Sequence, residues 1–315
     1  MTAPSSPLII GFDIGGTKTS VSCGTADGTV LARIVQASAT DTGFEGMFGA
    51  MASAADELIS EWGHPAAIGV SIGGPLDTEK GIIHSPPNLP GWDAIPLRDR
   101  LMDRFAVPVY VEHDARAGAL AEWLFGAARG ANDVVYLTFG TGLGAGMILG
   151  GRLHTGATGD AGEVGHWRMS QRGPEAYGKA GSWEALSSGA GLPRLARHMY
   201  PDVAWPADLS AQDLIGRARA KDAAASRVIR VSAAWLGNGI AKIIDLLNPE
   251  VVVLGSLAVR AGDLFLPIVR RVAAREVTGR NRECRIVASA LGDTAGDIAA
   301  LCAAIVHGQL RGPDP

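Results

Sequence analysis

The apolar positions of the first 125 residues follow two rhythms in turn. Leu8 to Asp13 is a short apolar run closed by Gly15-Gly16-Thr17, and runs at about Thr19 to Gly24 and Thr29 to Val35 follow at strand spacing. Phe44, Met47, Phe48, Met51, Ala55, Leu58, Ile59 and Trp62 then recur with the 3.6-residue period of a helix. Ala67 to Ile72 predicts a fourth strand, ending in Gly73-Gly74-Pro75. Pro96 opens a short helix through Leu97, Leu101 and Phe105, and Val107 to Glu112 predicts a fifth strand. Asp114 starts an amphipathic helix with Leu120, Trp123 and Leu124 on one face.

The second half begins again in the same way. Val134 to Phe139 is strand, Gly140-Thr141-Gly142 turn and Leu143 to Leu149 strand, with Gly150-Gly151 closing the next hairpin. Glu163 to about Tyr177 is irregular and polar, which suits a binding loop. Helices are predicted at about 183–199, 211–220 and 223–247, the last stopped by Asn248-Pro249. Val251 to Leu254 is a buried strand, 261–275 a helix, Cys284 to Ala288 a strand and 295–307 a closing helix. Two α/β domains, each opened by a hairpin with a glycine-rich first turn, account for this order.

Composition narrows the class. Glycine makes up 42 of 315 residues, about twice the usual ~7%, and its clusters imply backbone that approaches something closely. A net charge of −4 carries no nucleic-acid footprint. No charge-free apolar run reaches the ~18 residues of a membrane span. Cys23, Cys284 and Cys302 lie far apart in apolar segments and read as reduced core residues of a cytoplasmic protein.

Three groups of residues carry candidate chemistry. Asp13 at a strand end, then Gly15, Gly16, Thr17 and Lys18, offers backbone amides and a cation to phosphate, with Asp13 meeting Mg²⁺ through water. An ordinary hairpin turn explains that segment as well, but Gly140-Thr141-Gly142 repeats it in the second half, and two such turns suit a polyphosphate. Asp114 sits where strand gives way to helix, a position open to a helix cap and to a catalytic carboxylate.

The ordered set of Asp13 to Thr17, Asn88-Leu89-Pro90-Gly91-Trp92, Asp114-Ala115 with Ala121 to Gly126, the run Gly140 to Gly162, and Gly162-Glu163-Val164-Gly165-His166 resembles the ROK family of bacterial sugar kinases and repressors. The resemblance covers essentially the whole chain. It implies two RNase-H-like domains of the actin-like ATPase and sugar-kinase superfamily, with ATP, Mg²⁺ and a hexose in an interdomain cleft. Residues 1–115 with 296–315 would form the smaller domain and residues 116–295 the larger. Asp114 would be the general base toward a sugar hydroxyl, O6 of glucose or a related hexose. Glu163, His166 and Glu184 would read ring hydroxyls, with Asn88 and Gly74 at the other edge, and Gly255 and Ser256 would lie against the adenosine. A homodimer and no nucleic-acid partner are also implied.

Two departures from the family stand out. Many members carry zinc-binding cysteines after the histidine; aligning Gly178, Gly181 and Glu184 places Glu175, Tyr177 and Ser182 at those positions, so no zinc site is expected. His113 stands where the kinases usually show Asn, which predicts an altered reading of the sugar's O3/O4 region. An amino- or N-acetylamino-sugar kinase stays open as an alternative. So does a non-catalytic sugar-sensing regulator, although Asp13 lies twelve residues from Met1 and leaves little room for a DNA-reading domain before it.

Overall fold

The computed structural model describes residues 6–310. Of these, residues 6–125 with 293–310 form one unit and residues 126–292 the other. In the first, Leu8–Ile14 (β1), Lys18–Thr25 (β2) and Val30–Ala37 (β3) make an antiparallel meander. Ala67–Ile72 (β4) and Val109–His113 (β5) join in parallel on the far side of β1, giving the order β3-β2-β1-β4-β5. In the second unit, Val134–Leu137 (β6), Ala145–Leu149 (β7) and Arg152–Leu153 (β8) are followed by parallel Val251–Leu254 (β9) and Arg285–Ala288 (β10), in the order β8-β7-β6-β9-β10. Counted from each unit's own first strand, the two orders are identical, and each sheet has the RNase-H-like arrangement.

The helices in chain order are Gly43–Trp62 (α1), Leu97–Phe105 (α2), Asp114–Phe125 (α3), Trp183–Ser187 (α4), Gly191–Met199 (α5), Ala211–Arg219 (α6), Ala223–Leu247 (α7), Leu257–Glu276 (α8) and Ala295–His307 (α9). Strand β1 sorts its side chains by alternation. Ile10, Phe12 and Ile14 join a core with Phe44, Met47, Met51 and Leu58 of α1 and Leu97, Leu101 and Phe105 of α2. Ile9 faces Leu301, Ala304 and Ile305 of α9.

On that α9 side, Gly11 of β1 and Gly69 of β4 are register partners. A Cβ at Gly69 would collide with the Ala300 carbonyl, and one at Gly11 would come within 3.1 Å of the Ala300 Cβ. The helix is itself small-sided, with Ala299, Ala300, Ala303 and Ala304 all buried. Glycine opposite alanine brings α9 unusually close to the sheet, and that depth decides what its N-terminus touches.

Several predicted elements shift on inspection. Helix α3 is enclosed on all sides from Ala115 to Glu122, Arg116 and Glu122 included, because α9 and the sheet cover it; it is not an amphipathic surface helix. The two units divide after Phe125 and after Gly292, so the whole of α3 lies in the first. The single helix expected over 183–199 is two helices separated at Ser188 to Ala190. Cys23 and Cys302 are buried, but Cys284 is only partly so, since it leads into the edge strand β10.

Placing a methyl group at Gly69 removes the space α9 needs. The Gly69→Ala variant is expected to lose about 1–3 kcal/mol of stability through overpacking, read as a lower urea midpoint at unchanged m-value.

Candidate active site

The parallel register of the first unit lines up the ends of three strands. Asp13 of β1 pairs with Ser71 of β4, which pairs with Glu112 of β5; one step on, Ile14, Ile72 and His113 form the next row. The carboxyl ends of the strands thus gather Asp13, the Gly73-Gly74 turn and the His113-Asp114 joint at one sheet edge, where ligands of parallel α/β folds bind.

Asp13 has a carboxyl pushed up to about 7, first by burial, then by the nearby Asp297 and Asp114 carboxylates; Lys18 and a hydrogen bond from Ser71 oppose the shift. Gly296, in the first turn of α9, lies against this carboxyl so closely that a Cβ there would collide with Oδ2. The close seating of α9 therefore brings a helix N-terminus to Asp13, where its dipole favours negative charge. Asp297 is buried and held by Ser20 Oγ at 2.5 Å and Arg33 NH1 at 3.0 Å.

The turn after Asp13 is tied from β3's end. Gly15 N–H donates to the Lys18 carbonyl at 3.2 Å, and Ser38 Oγ donates to the Gly15 carbonyl at 2.5 Å. Ser38 N–H donates to the Thr17 carbonyl at 3.1 Å. Thr17 and Lys18 stay exposed. A Cβ at Gly16 would sit 2.5 Å from the Asn88 carbonyl oxygen, so this turn and the Asn88 loop touch. The loop is anchored by Trp92, wholly buried and edge-on to Phe44 with ring centroids 5.0 Å apart.

At the joint, α3 starts at Asp114 itself, so Asp114 is its first residue and not a cap preceding it. Ala115 N–H points instead at His113 Nδ1, 3.3 Å away. The same nitrogen lies 3.2 Å from Asp114 Oδ1. Unprotonated, it accepts from Ala115; protonated, it donates to Asp114. The Asp114 side chain is 47% exposed and open to a substrate. Gly74 is packed against the His113 ring, with a Cβ placed there 3.1 Å from Cδ2.

Glu112 holds the joint from below. It is buried, and its Oε1 accepts from Arg116 Nε at 2.6 Å and from His113 N–H at 2.7 Å, while Oε2 lies 2.9 Å from His307 Nε2 of α9. Burial works against its ionisation, but the bonds from His307, Arg116 and the His113 amide win and hold the carboxyl below its ordinary range.

In the second unit the glycine turn is built by diverted amides. Gly189 and Ala190 N–H groups donate to the Gly140 and Thr141 carbonyls at 2.7 and 3.0 Å, which is why the helix predicted through this stretch breaks there. Gly144 N–H donates to Thr138 Oγ1 at 2.9 Å. A Cβ on Gly140 would meet Ser256 Oγ at 3.3 Å, and Gly255 fits against the Tyr136 hydroxyl and Thr138 carbonyl, so Gly140, Thr141, Gly142, Gly255 and Ser256 form one cluster.

The loop with Glu163 and His166 packs against the chain that leaves that turn. Gly162 and Gly165 lie against the Ala145 and Leu143 carbonyls with no space for a Cβ. Glu184 Oε2 accepts from Leu143 N–H at 3.0 Å and from the Tyr177 hydroxyl at 2.6 Å. His166 Nε2 is 3.6 Å from Glu163 Oε2, and its ring stacks on Tyr177 with centroids 3.7 Å apart. Of the positions aligned with cysteines, Ser182 caps α4 through the Ala185 N–H, and Glu175 is exposed. Sequence reasoning missed Ser38, Glu112, Asp297 and Tyr177. A lone acid in the otherwise apolar 295–307 helix was a legible signal for Asp297; Ser38, Glu112 and Tyr177 carry no periodicity or motif that marks their contacts.

Two RNase-H-like units, each with a glycine turn after its first strand, define the class of actin-like ATPases and sugar kinases. The chain belongs to the ROK family, whose pattern it matches over residues 9–307. The glucokinase of Thermotoga maritima is 32% identical to it over 315 aligned positions, 96% of this chain and 98% of that protein. The ROK hexokinase from Thermus thermophilus superposes with a TM-score of 0.81 at 31% identity, covering 96% of this chain and 99% of the other. A ROK glucokinase from Streptomyces griseus, solved with glucose and AMPPNP, gives a TM-score of 0.81 at 31% identity over 93% and 97% of the two chains. Xylose repressors are also among the relatives.

Because the Glu112 carboxyl is held low in the folded state, its stabilising effect is complete above the unfolded value of about 4.3 and lost as pH falls through and below it. Glu112→Gln is expected to flatten the acid limb of a stability-against-pH curve. Glu112→Ala, which removes the carboxylate from a buried ion pair, should cost about 3–5 kcal/mol.

Proposed function

We propose that this protein is an ATP-dependent hexose kinase that transfers the γ-phosphoryl group to a sugar hydroxyl, O6 of glucose or of a closely related hexose. The observation that carries the reading is Asp114: a half-exposed carboxylate at the sheet edge, fixed from beneath by Glu112 and within electrostatic reach of Asp13. The glucose and AMPPNP bound by the Streptomyces griseus relative support the same choice of substrates.

In the first unit, Asp114 takes the proton of the acceptor hydroxyl as its oxygen bonds to the γ-phosphorus and the bond from that phosphorus to the β-bridging oxygen breaks, releasing ADP. Phosphoryl transfer draws chiefly on positioning and charge stabilisation, and a positioned base contributes about 10²–10⁴-fold. Gly15, Gly16, Thr17 and Lys18 hold phosphate oxygens, while Asn88, Gly74 and His113 border the sugar. In the second unit, Gly140, Thr141 and Gly142 hold phosphates, Gly255 and Ser256 receive the adenosine, and Glu163, His166 and Glu184 take ring hydroxyls.

Mg²⁺ fits Asp13 by charge and donor type. The carboxyl stands near two further carboxylates that raise it, an arrangement a cation relieves. Asp13 would hold the ion through water, with substrate phosphates as its other ligands, and there it would neutralise phosphate charge. We further assign the protein to the cytoplasm, where ATP is available, and to a homodimer; among the described residues no helix is long and apolar enough to cross a membrane.

A coupled ADP-release assay over glucose, mannose, glucosamine, N-acetylglucosamine and N-acetylmannosamine tests the reading. Sugar-dependent turnover by the wild type, lost by about 10²-fold or more in Asp114→Asn with sugar binding retained, is expected; undiminished turnover in that variant refutes the role of Asp114. His113→Asn is expected to change the ranking of the sugars, and an unchanged ranking refutes its part in reading them.

A further inference from the structure

Tyr177 sits in a conformation that its own side chain disfavours. The two-residue strands Glu175–Ala176 and Lys179–Ala180 pair as a hairpin whose turn is Tyr177-Gly178. Both turn residues have positive φ, 57° and 65°, as a type I′ turn demands; Asn-Gly is the preferred occupant. A bulky aromatic residue in the left-handed region is a true outlier, sustained only where its surroundings fix it, and such outliers gather at functional sites.

The surroundings supply two contacts. The Tyr177 ring lies flat on His166, 3.7 Å between centroids and 17° between planes. Its hydroxyl donates to Glu184 Oε2 at 2.6 Å. That same oxygen accepts from the amide of Leu143, the residue that follows the Gly140–Gly142 turn, at 3.0 Å, and a Cβ on Gly142 would lie only 2.9 Å from it. Glu184 therefore spends one oxygen on the turn and the tyrosine, and its Oε1 takes no hydrogen bond from the described residues.

On the hexose-kinase reading above, we infer that Tyr177 is a positioning residue that couples sugar reading to the phosphate turn. Its ring sets the plane of the His166 imidazole, and its hydroxyl directs Glu184 so that Oε1 faces a ring hydroxyl while Oε2 holds Leu143. A sugar engaging Glu184 thereby stabilises the turn that holds the nucleotide, and by linkage the nucleotide strengthens sugar binding by the same factor. A charge-assisted bond of this kind matters about tenfold or more in affinity.

Two variants separate this role from a structural one. Tyr177→Asn suits the type I′ turn and is expected to fold with an unlowered melting temperature; Tyr177→Phe keeps the ring stack and loses only the hydroxyl. In the ADP-release assay with the same five sugars, both are expected to raise the sugar KM, about tenfold for Phe and more for Asn, with a smaller change in the ATP KM. Calorimetry with and without AMPPNP is expected to show that the mutual enhancement of sugar and nucleotide binding shrinks in both. Unchanged sugar KM and unchanged enhancement in the two variants, with an active wild type, overturn the role of Tyr177 alone. A wild type that turns over none of the sugars overturns the kinase reading and this inference together.

Discussion

The depth at which α9 rests on the first sheet is the constraint on which the first unit's candidate site depends. Two register-paired glycines, Gly11 and Gly69, face a helix of alanines, and the carbonyl of Ala300 fills the space a Cβ would need. That closeness delivers three things to the sheet edge. Gly296 reaches the Asp13 carboxyl, Asp297 adds a buried carboxylate beside it, and His307 reaches Glu112 beneath the Asp114 joint. A helix one side-chain layer farther away would provide none of them.

The second unit arrives at a comparable turn by other means. Where the first strap is one serine's hydroxyl and amide, the second is a pair of backbone amides released by ending one helix and starting another. Both devices satisfy carbonyls of a glycine turn from outside and leave its remaining groups for a ligand. Glu184 extends that logic, since the carboxylate bracing Leu143 stands on α4, whose Glu184 Cβ packs against Gly165 of the loop that carries Glu163 and His166.

Much of this was readable from the residues. The meander openings, the fully apolar Val251–Leu254 strand and the 3.6 period of α1 follow from local pattern, and the glycine motifs marked both turns before any coordinates. Family resemblance added the roles of Asp114, Glu163, His166 and Glu184, which no periodicity supplies. What stayed hidden depends on tertiary contact. The break at Ser188–Ala190 lies within an unbroken helical period because its cause is a hydrogen bond to a turn almost fifty residues earlier. The burial of Arg116 is invisible because its partner Glu112 lies on the preceding strand and the third member, His307, is far along the chain. Tyr177 gave no signal because a tyrosine in a two-residue turn is the opposite of what propensity favours.

The return of α9 to the first sheet also sets an order of assembly during synthesis. Every element of the second unit leaves the ribosome before residues 295–307 do, so that unit can complete its core while the first sheet still exposes its Gly11 and Gly69 face. Domains generally fold as units as they emerge, N-terminal first. Here the unit that begins the chain is the one that finishes last, and the Asp114 joint acquires its full set of supports only when the closing helix docks. Such distant pairing slows folding, because the loop must close before its contacts repay it; the nascent first unit is therefore the part of this protein most in need of shelter from aggregation.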